Sequence, residues 1–246
     1  MTSSESTGSA NIAAKHHDDG LVITIDGPAG AGKTTISKIL ADHLSYRYID
    51  TGALYRAIAY EADKVGIAPD NDDGLESLLA DIVLDFKPSS KGVRLYSNGE
   101  DISDFIRTPK ITMLASAASA RGPVRRFLLN IQRNFAKGKR VIFEGRDMGT
   151  VVFPDADIKF FLMASHKTRA IRRFEQMAGK NDQTLSQVEE EMRVRDANDS
   201  QRDLAPLEPA NDAVLIDSTQ LSLEQVTEAL LRHIYRIFPS SDATFS

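Results

Sequence analysis

The segment Gly27-Pro-Ala-Gly-Ala-Gly-Lys-Thr34 constrains this chain more than any other stretch, because it matches the spacing G-x-x-x-x-G-K-[ST]. It follows a short apolar, β-rich run, Leu21–Ile25, and opens a helical stretch from about Lys33 to Leu44. That context matters to the chemistry. Glycines let the backbone curl until successive N–H groups face phosphate oxygens, and the N-terminus of the following helix adds positive potential. Lys33 can then reach the outer phosphates, while the Thr34 hydroxyl can bind Mg2+. Gly27, Pro28, Ala29, Gly30, Ala31, Gly32, Lys33, Thr34 and Thr35 are expected to hold a nucleoside triphosphate.

The rest of the pattern alternates strand and helix. Val141–Phe143, Ile158–Met163 and Val214–Ile216 read as buried strands. A helix over 222–238 is predicted to place Leu223, Val226, Leu230, Ile234 and Ile237 on one face, with Ser222 and Gln225 at capping-box spacing. The expectation is an α/β fold: a central parallel sheet flanked by helices on both faces. From Gly66 to about Thr108 the rhythm breaks into turn-rich links around strand candidates Ile82–Phe86 and Val93–Tyr96, with Asn98-Gly99 as a turn signal. This reads as a small strand-containing insertion at about 66–108.

At 246 residues the chain can hold one large domain, here expected over 21–238, between polar tails at 1–20 and 239–246. His16, His17, Asp18 and Asp19 could be drawn as metal ligands, but an aperiodic tail supplies no coordination geometry. The absence of cysteine removes disulfides, thiolate metal sites and cysteine nucleophiles together. No apolar run has the length of a membrane span, and the N-terminus lacks a signal-peptide core, so a cytoplasmic location is expected.

A phosphate loop does not name an acceptor. No N-K-x-D base-reading motif accompanies it, and the D-x-x-G match at Asp63–Gly66 falls on a predicted helix, which counts against a switch GTPase. Val141-Ile-Phe-Glu144 offers a short strand ending in a carboxylate, either an Mg2+-water partner or a simple strand end. The formal charge of -5 hides a basic middle: residues 121–202 carry 12 Arg and 5 Lys against 11 acidic residues. That suits a small anionic ligand better than a nucleic-acid polymer, although solvated helix faces explain the charge as well. Arg169, Arg172 and Arg173 share helical spacing, and Arg193, Arg195 and Arg202 follow with Asp196 and Asp199 among them. Two arginine clusters beside a phosphate loop favour a lid that closes over phosphates, at about 166–202.

Longer strings carry a more specific signal. ITIDGPAGAGKTT, IDTGALYRAIA (49–59), EDISDFIRT (100–108), FEGRDMGTVVFPDADIKFFL (143–162) and VRDANDSQRDLAPLEPA (194–210) together resemble the bacterial cytidylate (CMP) kinases, within the nucleoside monophosphate kinases, over about residues 21–237. The resemblance implies transfer of the γ-phosphoryl group of ATP to CMP or dCMP, with Mg2+, by a P-loop kinase core carrying a monophosphate-binding insertion and a short lid. It implies that Arg56 and Arg146 hold the acceptor phosphate with Thr51 nearby, and that Lys33, Arg56, Arg146 and Arg195 form the catalytic set. Ser116, Arg125 and Asp147 match cytosine-reading positions; Arg195, Asp199 and Arg202 match positions near the acceptor sugar and closing phosphate site. Tyr55 is a packed aromatic or a sugar neighbour, and Arg169, Arg172 and Arg173 belong to the lid. A monomer, with no membrane or nucleic-acid partner, is expected. A kinase for another small acceptor and a non-catalytic nucleotide-binding regulator remain as alternatives.

Overall fold

The computed structural model describes residues 20–89, 92–177 and 183–239. The tails at 1–19 and 240–246, with His16, His17, Asp18 and Asp19, lie outside these residues, as does the stretch 178–182 of the expected lid.

Five strands form the main sheet: β1 (Val22–Asp26), β2 (Arg47–Asp50), β6 (Val141–Glu144), β7 (Ile158–Met163) and β8 (Val214–Asp217), in the order β2-β6-β1-β7-β8. Every neighbouring pair is parallel, in register Val22 to Val141 for β1 with β6 and Ile23 to Ile158 for β1 with β7. Parallel neighbours require crossovers, and the helices that make them cover both faces. On one side α1 (Lys33–Leu44) and α8 (Leu223–Ile237) bury Ile36, Leu40, Val226, Leu230 and Ile234 against Ile23, Ile25, Phe160 and Leu162. The predicted capping box of Ser222 and Gln225 is present. Leu223 and Ile237, expected on the buried face, stand at the two ends of α8 and are exposed.

A second hydrophobic core forms outside this sheet. Here α2 (Thr51–Lys64), α3 (Asp72–Leu79), α4 (Pro109–Ala118) and α5 (Gly122–Phe135) pack around Leu54, Ile58, Leu75, Ile102, Ile106 and Leu128. The antiparallel sheet β3 (Leu84–Ser89), β4 (Gly92–Ser97) and β5 (Glu100–Asp101) rests against it through Leu84 and Leu95. The strands of the expected insertion are therefore present, with β3 running two to three residues later than its apolar run suggests. The helix α3 does not show in the turn-rich pattern: it opens on Asp-Asp-Gly, and only Leu75 and Leu79 of its eight residues are buried. The edge strand β2 was also unread, since Arg47-Tyr-Ile-Asp50 carries too few apolar residues to signal a strand. Two further helices, α6 (His166–Met177) and α7 (Leu185–Gln201), pack on each other through Ala170, Val188 and Met192. Asp63 of the D-x-x-G match lies on α2 and pairs with Lys110 of α4 at 2.8 Å at the surface.

Candidate functional site

The loop between β1 and α1 fits only glycine at its tightest point. A Cβ on Gly27, at φ 140°, would sit 1.9 Å from the carbonyl oxygen of Leu162 on β7. Gly32, at φ 98°, caps α1 in the left-handed region. Lys33 folds back over its own loop and donates from Nζ to the carbonyls of Gly27 and Pro28, each at 2.7 Å. Burial, reinforced by the cationic Arg146, lowers the Lys33 pKa to about 7.

Glu144, at the C-terminal end of β6, joins three elements. Its Oε1 accepts from Thr34 Oγ1 at 2.9 Å, its Oε2 from the Tyr48 hydroxyl at 2.5 Å, and its carbonyl from Thr51 Oγ1 at 2.6 Å. The Thr51 hydroxyl is thus committed to β6 as a donor. Thr34 and Glu144 present hard oxygen donors side by side, the donor type Mg2+ prefers when substrate phosphates and water complete its shell. Among the described residues no group of three or more His, Asp or Glu side chains could hold a metal alone.

Beyond the loop, arginines converge from four elements. Arg56 on α2 pairs with Asp50 at 2.7 Å. Arg146, following β6, pairs through Nε with Asp199 Oδ2 on α7 at 2.9 Å, and Arg195 Nε lies 4.0 Å from the same oxygen. The Nε atoms of Arg56 and Arg195 are buried without a hydrogen-bond partner. Burial, then the neighbouring Arg146, lowers Arg195 to about 10, with Arg56 and Arg173 adding to the repulsion. Burial favours the neutral acid at Asp199, but Arg146 and Arg195 overcome it and hold the carboxyl below its usual range. Unpaired buried donors and mutually repelling guanidinium groups mark a site built for a multiply charged anion.

Next to it, Asp147 is almost fully buried between Arg125, whose Nη2 donates to Oδ2, and Arg202, whose Nη2 lies 3.6 Å from Oδ1. Tyr55 packs its ring beneath Arg125, 5.9 Å from the guanidinium carbon. Ser116, which the resemblance matches to a cytosine-reading position, donates its hydroxyl to Asp199 Oδ1 at 3.4 Å.

A family model described as cytidylate kinase matches residues 23–236. The chain belongs to the cytidylate kinase family. It is 50% identical over 226 residues to a cytidylate kinase of Geobacter sulfurreducens, covering 90% of this chain and 97% of that one. A cytidylate kinase of Geobacter sp. is 46% identical over 218 residues, covering 88% and 94%. One from Ligilactobacillus salivarius is 42% identical over 215 residues, covering 87% and 96%.

The structure divides the three arginines that helical spacing grouped as a cytidylate kinase lid. Arg169 is buried: its Nη1 donates to the carbonyl of Ala29 in the phosphate loop at 3.0 Å and pairs with Asp196 of α7 at 2.7 Å. Arg172 is tied to Ser218, after β8, through Nη1 to Oγ at 3.0 Å and Nη2 to the carbonyl at 2.7 Å. Arg173 lies within electrostatic reach of both Arg56 and Glu191; burial, then Arg56, lowers its pKa against the pull of Glu191. Spacing showed that these residues lie near one face of α6, but not what each end of that face meets.

Three supporting residues escaped the sequence reading. Asp26 ends β1 and accepts from the backbone N–H groups of Met148 and Gly149 at 3.0 and 2.8 Å, fixing the turn that carries Arg146 and Asp147. Burial pushes its pKa up to about 7 against those two hydrogen bonds. A carboxylate closing an apolar strand was the available signal. Tyr48 and Ser119 gave none.

Proposed function

We propose that this chain transfers the γ-phosphoryl group of ATP to CMP and dCMP, giving ADP with CDP or dCDP. Membership of the cytidylate kinase family supports the reaction, and the pairing of Asp147 with two arginines beside the arginine cluster is the observation that carries the acceptor. Cytosine presents an N4 amino donor beside N3 and O2 acceptors, so a carboxylate flanked by guanidinium donors is complementary to it. Uracil would turn O4 toward the same carboxylate.

In this mechanism Lys33 leaves the carbonyls of Gly27 and Pro28 for the β- and γ-phosphates of ATP. Arg56 and Arg146 hold the acceptor phosphate, and Arg195 with Arg173 neutralises the transferring group. One oxygen of the CMP phosphate bonds to the γ-phosphorus as the bond to the β,γ-bridging oxygen breaks, and that oxygen departs with ADP. A phosphate oxygen is already a competent nucleophile, so no strong general base is needed. Asp199, released by Arg146, is free to accept from a ribose hydroxyl, with Ser116 beside it. Thr34 and Glu144 would hold Mg2+, which supplies neutralisation of charge on the ATP phosphates. Closure of α6 and α7 would exclude water and suppress ATP hydrolysis. The enzyme is proposed to act as a cytoplasmic monomer; among the described residues no helix is long and apolar enough to cross a membrane.

A coupled ADP-release assay with ATP and Mg2+ against CMP, dCMP, UMP, AMP, GMP and shikimate tests this. Turnover confined to CMP and dCMP is expected. Turnover with a different acceptor would discard the base-site roles, and ATP binding without turnover would leave a nucleotide-binding regulator.

A further inference from the structure

Asp147, Arg125 and Arg202 do not hold one another unaided. Ser119 caps the C-terminal end of α4, in right-handed helical conformation and nearly buried. Its hydroxyl donates to the carbonyl of Ser116 at 2.7 Å, which fixes the direction of the O–H bond and leaves a lone pair for Arg202 Nη1, 3.0 Å away. Its own carbonyl accepts from Arg125 Nη1 at 3.0 Å. Each guanidinium therefore spends one Nη1 on Ser119 and turns its Nη2 toward a different oxygen of Asp147. The result is a closed ring, Asp147–Arg125–Ser119–Arg202, drawn from α4, α5, the turn after β6 and the end of α7. Arg202 is pinned on its far edge as well, through Nε to the carbonyl of Ala205 at 2.6 Å. Its Nη2 is buried and makes no hydrogen bond of its own.

Resting on the acceptor-site assignment above, we propose that Ser119 is a positioning residue for nucleobase selectivity: its hydroxyl holds Arg202 against Asp147 and so fixes the plane of the carboxylate that meets the cytosine amino group. Discrimination by a carboxylate depends on that plane. Held still, it accepts from N4–H and repels a carbonyl oxygen in the same place. Released on one side, it rotates toward Arg125 and the penalty against uracil shrinks.

Ser119→Ala removes the Arg202 arm together with the bond to the Ser116 carbonyl, whereas the bond from Arg125 ends on the backbone carbonyl and survives any side chain. Alanine also suits the helical conformation at this cap. Ser119→Thr keeps the hydroxyl. The experiment measures kcat and KM for CMP and UMP at saturating ATP, KM for ATP at saturating CMP, and the melting temperature, for the wild type and both variants. Ser119→Ala is expected to raise the KM for CMP about tenfold and to shrink the CMP-to-UMP ratio of kcat/KM about five- to tenfold, since a buried donor on a charged group is left unpaired. The KM for ATP should stay within about twofold, and Ser119→Thr should restore the ratio. An unchanged ratio in Ser119→Ala would overturn the proposal. So would a parallel loss of ATP and CMP use tracking a fall in melting temperature, the mark of a purely structural role. If Ser119→Ala does not fold, Ser119→Thr decides alone: retained selectivity supports the hydroxyl, and collapsed selectivity in a folded protein overturns it. A wild type that turns over UMP and CMP equally would instead sink the acceptor-site assignment itself, and this inference with it.

Discussion

Thr34 in the phosphate loop donates to Glu144 across 2.9 Å although 110 residues separate them in the chain. The Tyr48 hydroxyl grips the other carboxylate oxygen, so the donor end of the site is braced by β2 and β6 together. The direction of the Tyr48 pKa, well above its ordinary value through burial and the nearby Asp50 and Glu144, keeps that hydroxyl a donor throughout the working pH range.

Glu144→Gln should therefore raise the Mg2+ concentration needed for half-maximal turnover, by about tenfold, while the KM for CMP stays close to that of the wild type. Titration of activity with Mg2+, alongside calorimetric binding of ATP with and without Mg2+, checks this. An unchanged Mg2+ requirement would make Glu144 a strand end and nothing more.

Lys33→Ala should lower kcat by about 100- to 1,000-fold, the scale set by loss of one preorganised charge from a phosphoryl-transfer site. CMP binding, followed by calorimetry without ATP, should persist. Near-normal turnover would remove Lys33 from the catalytic set.

Arg169 and Arg173, one helical turn apart, should fail in different ways. Arg169→Ala strips the partner from Asp196 and a donor from Ala29, so a loss of about 3 kcal/mol in stability is expected from breaking a buried pair. For Arg173→Ala the melting temperature should hold while kcat falls by about tenfold or more. Denaturation curves set beside steady-state kinetics separate the two; the same profile in both variants would restore the single lid cluster that spacing suggested.

Asp147→Asn should reduce kcat/KM for CMP by about 100-fold and for UMP much less, because the amide leaves Arg125 without its acid and offers a donor to uracil O4. A loss equal for both nucleotides would remove Asp147 from base recognition.

Asp26 makes a pH prediction. Its folded pKa, about 7, lies above its ordinary value of 3.8, so the fold favours the neutral acid. Its contribution to stability is fully present below about pH 4 and is lost as pH rises through 7. Asp26→Asn does not titrate. The stability of the wild type relative to this variant should fall steadily between pH 4 and 8 in chemical denaturation. A difference independent of pH would return Asp26 to an ordinary carboxylate range.

Much of this protein was decided locally. Gly27 and Gly32 sit where the backbone itself excludes other residues, and Lys33 and Thr34 follow at fixed offsets, so the phosphate loop is readable from eight residues in a row. The strands β1, β6 and β7 announce themselves because parallel strands buried on both faces need continuous apolar runs. Arg56, Arg146 and Asp147 stand inside long matched strings, which is why the resemblance proposes them for the site. What the chain order could not say is which partner each charge meets. Arg169, Arg172 and Arg173 lie within five residues, yet one ends on the phosphate loop, one on Ser218 and one between the charges of Arg56 and Glu191. Ser119 and Tyr48 look like any other serine and tyrosine until α4 and β2 bring them to Arg202 and Glu144. Backbone conformation and hydrophobic periodicity are properties of neighbouring residues and can be read along the sequence. Charge pairing and hydrogen-bond satisfaction are properties of the packed interior, and they exist only once distant elements have met.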